Sequence, residues 1–97
     1  MTKSEFPFVI GYQGQTAIID KNMYSKWKSA SLAQLLDAGL FKAAFSRAVW
    51  DQDAGAMEKV LLNYNARSPK QYASVEVLQR AFGVYSVPQG VKRTLYL

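Results

Sequence analysis

Ninety-seven residues, 49% hydrophobic and 20% charged, supply enough apolar surface for one core and too little for two, so a single domain over residues 1–97 is expected. Cysteine and histidine are both absent, which removes disulfides, thiolate metal sites, thiol nucleophiles and the commonest general base together; no metal, no cofactor and no catalytic centre are expected. The net charge of +5 is spread unevenly, with an acidic stretch between Trp50 and Tyr64 (Asp51, Asp53 and Glu58 against Lys59) flanked by basic segments, a pattern compatible with an anionic partner.

The opening MTKSEFPFVIGYQG has too short an apolar run for a signal-peptide core, which spans ~7–15 residues, and no segment approaches the ~18 apolar residues of a membrane span. A soluble cytoplasmic protein with no membrane partner is expected. In FVIGYQGQTAIID, the β-branched Val9, Ile10, Ile18 and Ile19 around Gln13-Gly14 predict a β-hairpin, apolar on both faces. KNMYSKWKS shows no clear period and reads as a connection. SLAQ, from Ser31 to Gln34, is a capping-box pattern that opens a helix with Leu32, Leu35 and Leu36 inward, and Gly39 is placed to end it.

LFKAAFSRAVW predicts a second helix, with Leu40, Phe41, Ala44, Phe45, Ala48 and Val49 on one half of the wheel and Lys42, Ser46, Arg47 and Trp50 on the other. Asp53 caps a third, AGAMEKVLLNY, whose Met57, Val60, Leu61 and Tyr64 face inward. In ARSPKQYASVEVLQRAFG, Ser68 is an N-cap, Pro69 a first helical residue and Gln71 the return arm of a second capping box, so a fourth helix runs from Pro69 to Gly83 with Val75, Leu78 and Phe82 in the core. VYSVPQGVKRTLYL closes the chain as one or two strands around a turn at Pro88-Gln89-Gly90. The fold class is therefore α+β: an N-terminal hairpin, about four helices and a C-terminal strand or hairpin, with a small antiparallel sheet against a helical bundle.

On the fourth helix, Lys70, Ala73, Ser74 and Val77 form a stripe of mostly small residues, slim enough to enter a major groove. A helix, a short turn, a capped helix and a hairpin carrying Lys92 and Arg93 follow in the order found in winged-helix proteins, which the segment from Asp53 to Leu97 resembles in layout. That layout implies an alternative architecture, winged-helix-like with an added N-terminal hairpin, and a nucleic-acid surface of Lys70, Ser74, Lys92 and Arg93 with Arg67 on phosphate. A second basic and aromatic patch, Lys26, Trp27 and Lys28, has the mixture that suits single strands, phosphates meeting cations and bases meeting the ring. The bland readings are close packing for the stripe and a core-edge anchor for Trp27.

DQDAG fails as a calcium loop, because Ala56 stands where glycine belongs and Leu62 where a bidentate glutamate belongs. The carboxylates are scattered, and no base accompanies any serine. Two functions follow as expectations: a non-enzymatic module binding DNA or RNA, or a protein-interaction or homodimerisation module that buries hairpin edges, Trp50 and other apolar surface against a partner.

Overall fold

A 3-10 turn at Phe6–Phe8 leads the chain into its sheet, with Pro7 fixing the backbone of the turn and all three side chains buried; the structure, a computed structural model, describes residues 1–97. Strands β1 (Val9–Gln13) and β2 (Thr16–Ile19) form the expected antiparallel hairpin, closed by the pair Gln13 and Thr16. Gly14, at φ 60, takes the first of the two turn positions, as a type II′ turn requires. A bulge between Val9 and Gly11 leaves Ile10 without a partner on β2.

The last strand, β3 (Arg93–Tyr96), lies beside β2 in the order β1-β2-β3 and runs parallel to it, from Thr16 opposite Arg93 to Ile19 opposite Tyr96. The fold class is α+β, and the sheet is mixed rather than wholly antiparallel. A parallel partner needs a long crossover, which the intervening helices supply. Val84 to Ser86 makes no strand: Val84 turns down into the core, with Val87 and Val91 packed against it. The C-terminal segment therefore contributes one strand and no wing, which removes the winged-helix alternative.

Five helices, α1 to α5, connect β2 to β3. The first was not expected: α1 (Lys21–Trp27) occupies the segment assigned as a connection, with Asp20 Oδ1 accepting from Met23 N at 3.1 Å. Its period is short but real, since Met23, Tyr24 and Trp27 pack against the core while the lysines face solvent. Helix α2 (Leu32–Asp37) has the predicted capping box, with Ser31 and Gln34 each bonding the other's backbone N–H. Gly39, at φ 77, turns the chain into α3 (Phe41–Trp50).

Helix α3 is the centre of the molecule, packed against α2, α4 and the 3-10 turn. Because it is covered on several sides, Ser46 on its expected polar half is buried, and Trp50 lays its ring 5.7 Å from that of Phe6. Trp50 is thus partly buried against the core. Asp53 caps α4 (Ala54–Arg67) as predicted, accepting from Ala56 N at 3.0 Å, and Val60 and Leu61 are buried.

Helix α5 (Val75–Phe82) starts later than its sequence promises, at an N-cap of Ser74 whose hydroxyl accepts from Val77 N at 3.3 Å. Ser68 instead ends α4, with extended backbone before Pro69. Asn65 explains the displacement. Its side chain brackets Tyr72, accepting from Tyr72 N at 2.9 Å and donating to Tyr72 O at 2.8 Å, while Gln71 Nε2 donates back to Asn65 O and Ser68 O. Those bonds satisfy the segment as a loop, and the Tyr72 ring lies 5.5 Å from that of Tyr64 on α4. The core face of α5 survives, with Leu78 fully buried and the Phe82 ring edge-on to Phe45 and Tyr64 at 5.9 and 5.7 Å. Left-handed Gly83 ends it, and Val84 N donates to Gln79 O in the Schellman manner.

Candidate interaction surface

Most of the residues singled out from the sequence are tied into local structure. Arg67 closes the helical layer: its guanidinium donates to the carbonyls of Leu36 and Asp37 at the C-terminal end of α2, and it lies 5.3 Å from the centre of the Phe41 ring. Ser74 is spent on capping α5. Lys70 precedes the helix and rests over Tyr72, 5.5 Å from the ring centre. On the sheet side, Lys92 N donates to Gln15 O at 2.8 Å and Arg93 Nε to Thr16 Oγ1 at 3.1 Å, so both flank the β1–β2 turn.

Lys92 and Arg93 are thus together, but no hydrogen bond, ion pair or strand pairing links them to Arg67, Lys70 or Ser74. Lys26, Trp27 and Lys28 are also neighbours, at the end of α1, where Lys26 sits over the half-buried Trp27 and Lys28 over Tyr24. The one ion pair in the molecule joins Lys3 to Asp51 at 3.0 Å. No group of three His, Cys, Asp or Glu side chains is placed to hold a metal ion.

The chain's two ends meet at Glu5. This buried carboxylate accepts from Thr2 N at 2.7 Å and from the Tyr96 hydroxyl of β3. Burial pushes the Glu5 carboxyl up, but the bonds from Tyr96 and Thr2 and the nearby N-terminal ammonium outweigh it and hold the group below its ordinary value. The same hydrogen bond to Glu5 is the main reason the Tyr96 phenol is pushed up to about 12, with burial and the Glu5 charge adding to it. This contact fastens β3 to the start of the chain.

The free surface lies on the opposite edge of the sheet. Strand β1 pairs with β2 alone, and its exposed side holds Ile10, 60% exposed, and Tyr12, 46% exposed. In a two-residue hairpin the closing pair exchanges both backbone bonds, so the N–H and C=O of Tyr12, one residue further along, point away from β2. No other segment bonds to them.

Two clefts adjoin this edge. One, of about 380 Å³, lies between β1 and the Gly83–Pro88 segment, with Phe6, Ser46 and Val84 among its lining residues. The other, of about 310 Å³, is bordered by Phe8, Met23 and the start of α3. Both are lined by Val9, Ile10 and Lys42, so together they follow the strand as one trough. A larger hollow of about 780 Å³ lies across the Tyr85–Pro88 segment, bordered by Val49 and Met57, but no strand edge borders it. Burial pushes the Tyr12 phenol up.

The sequence signal for this surface was the hairpin itself, VIGYQ being uncharged and apolar on both faces; the trough was not foreseeable, because the residues that share it come from four separate segments. No protein-family model, curated protein or solved structure matches the chain.

Proposed function

We propose that this chain is a non-enzymatic protein-binding module whose contact surface is the free edge of β1 and the trough beside it. One observation carries this: β1 leaves an uncharged, unpaired edge open next to apolar clefts. Exposed edges recruit further strands, and folded proteins normally guard them with lysine, proline, bulges or a covering segment. The two edges of this sheet differ in that respect. Arg93 and the adjacent Lys92 stand on the β3 side, whereas β1 carries no charge and has only its bulge. An edge strand beside a groove is the arrangement that captures extended peptides, main-chain bonds giving affinity and alternate side chains giving specificity.

Site-specific photo-crosslinking tests this. A photoreactive side chain is placed at Ile10 and, as a control of similar exposure, at Leu62 on α4, where 66% of the residue is exposed. Expected is a protein adduct formed from Ile10 and not from Leu62, identified by mass spectrometry; with the label moved to Tyr12, Ile10→Lys should abolish the adduct. Equal crosslinking from both positions, or none from Ile10, contradicts the assignment.

A second proposal, nucleic-acid binding, keeps a specific support: Lys26, Lys28, Lys70, Lys92 and Arg93 are exposed and without a carboxylate partner, on a chain of net charge +5. Its helix-turn-helix premise is weakened, because seven residues, Ser68 to Ser74, separate α4 from α5 and no wing follows. Titration of labelled duplex and single-stranded oligonucleotides at two salt concentrations tests it. Binding that weakens steeply with salt supports the proposal, and no binding at low salt ends it.

A further inference from the structure

From the trough, and resting on the protein-binding proposal above, we infer that its occupant is an extended, acidic segment of a partner protein, with apolar side chains two residues apart. The spacing follows from the surface. A strand added to β1 presents alternate side chains to one face, about 6.5–7 Å apart. The two clefts meet at Val9 and Ile10, so successive side chains on that face enter them in turn. At least half of the residues lining each are apolar, among them Phe6 and Val84 in the first and Phe8 and Met23 in the second, which fits apolar side chains.

The sign of the partner follows from Lys42. Its side chain stands where the clefts join, is exposed, and has no ion-pair partner. It is the one charged residue lining the first cleft, where Tyr12, Ser46, Tyr85 and Ser86 add hydroxyls and no carboxylate is present. In the second cleft Asp20 is the one acid, and its Oδ1 already accepts from Met23 N. A carboxylate on the incoming segment is what this arrangement lacks. A second copy of the chain fits less well, since it brings another net charge of +5, and two-fold pairing sets identical surfaces against each other.

The test is selection from a displayed library of random linear peptides, followed by affinity measurement on the enriched sequences. Expected are peptides with apolar residues at i and i+2 and an aspartate or glutamate beside them. Lys42→Glu, on an exposed side chain, should weaken these on the order of fivefold at low salt, one attractive pairing being lost and one repulsive pairing gained. Exchanging the peptide's acid for lysine should restore binding to that variant. An enriched motif that is basic or indifferent to charge, affinity unchanged by Lys42→Glu, no enrichment at all, or dimerisation of the chain through β1 each overturns the inference.

A separate reading guards the parent proposal. N-methylation of a strand-forming peptide costs binding at every second amide only, because alternate N–H groups face β1. Loss of that alternation, with peptides still binding, contradicts strand addition itself. Its persistence alongside indifference to Lys42 overturns only the charge assignment.

Discussion

Truncating Ser74 and Ser68 to alanine separates the two places where α5 could begin. Ser74 has extended backbone, φ −153 and ψ 164, and its hydroxyl satisfies Val77 N, one of four N–H groups that an eight-residue helix leaves without an internal partner. Removing such a cap costs about 1 kcal/mol. In a domain of roughly 100 residues that lowers the thermal midpoint by about 4–8 °C. The Ser68 hydroxyl accepts only from Lys70 N, at 3.2 Å in an exposed turn, so Ser68→Ala should stay within about 0.5 kcal/mol. Urea and thermal unfolding followed by circular dichroism measure both, and Ser74→Asp, which also caps well, should restore most of the loss. If Ser68→Ala costs as much as Ser74→Ala or more, α5 begins at Pro69 and the Asn65–Tyr72 bracket is not formed in solution.

Phe45→Ala should cost roughly 3–5 kcal/mol, since the ring is wholly buried at the centre of α3, while Phe82→Ala, at a half-buried position, should cost less; denaturant unfolding ranks them. The Glu5 contact makes stability depend on pH at both extremes. Because the Glu5 carboxyl is held below its ordinary value, its contribution is present above about pH 4.5 and lost as pH falls through the folded value, so Glu5→Gln should flatten the acid limb of a stability-against-pH curve. The Tyr96 contribution is present below pH 10 and lost as pH rises through about 12, and Tyr96→Phe should remove that alkaline loss. If the chain binds nucleic acid, replacing Lys92 and Arg93 together by alanine should flatten the salt slope by about two units; an unchanged slope places the phosphate contacts elsewhere.

Where one segment decided its own structure, the sequence was readable. The Ser31–Gln34 box, the Asp53 cap, the hairpin turn at Gly14 and the core stripe of Val75, Leu78 and Phe82 all depend on neighbours a few residues apart. Three features were not readable in this way. Helix α1 has only two turns, too few for a period to stand out, although Asp20 supplied its cap. The start of α5 was a contest between two serines, settled by Asn65 in the preceding helix. The direction of β3 depends on how the helices return the chain to the sheet, and with it went the expected wing.

The candidate site divides in the same way. That the hairpin would offer edges to a partner followed from its uncharged, β-branched residues. Which edge stays open followed only from β3 taking the other side of β2. The convergence expected of the basic residues supposed a helix beginning at Lys70 and a hairpin wing opposite it. Lys70 lies instead in a loop over Tyr72 and Arg93 is bonded to Thr16, so neither the helix start nor the wing that this supposed is formed.

Amide hydrogen exchange at β1, measured with and without the partner crosslinked through Ile10 or a selected peptide, tests the assignment of this edge most directly. In the free chain Tyr12 N–H has no bonding partner, whereas the amides of Gly11 and Gln13 pair with β2. On binding, exchange at Tyr12 should slow markedly while Gly11 and Gln13 change little. Unchanged exchange at Tyr12, with protection appearing instead along α1 or around Lys92 and Arg93, would contradict the β1 edge as the binding surface.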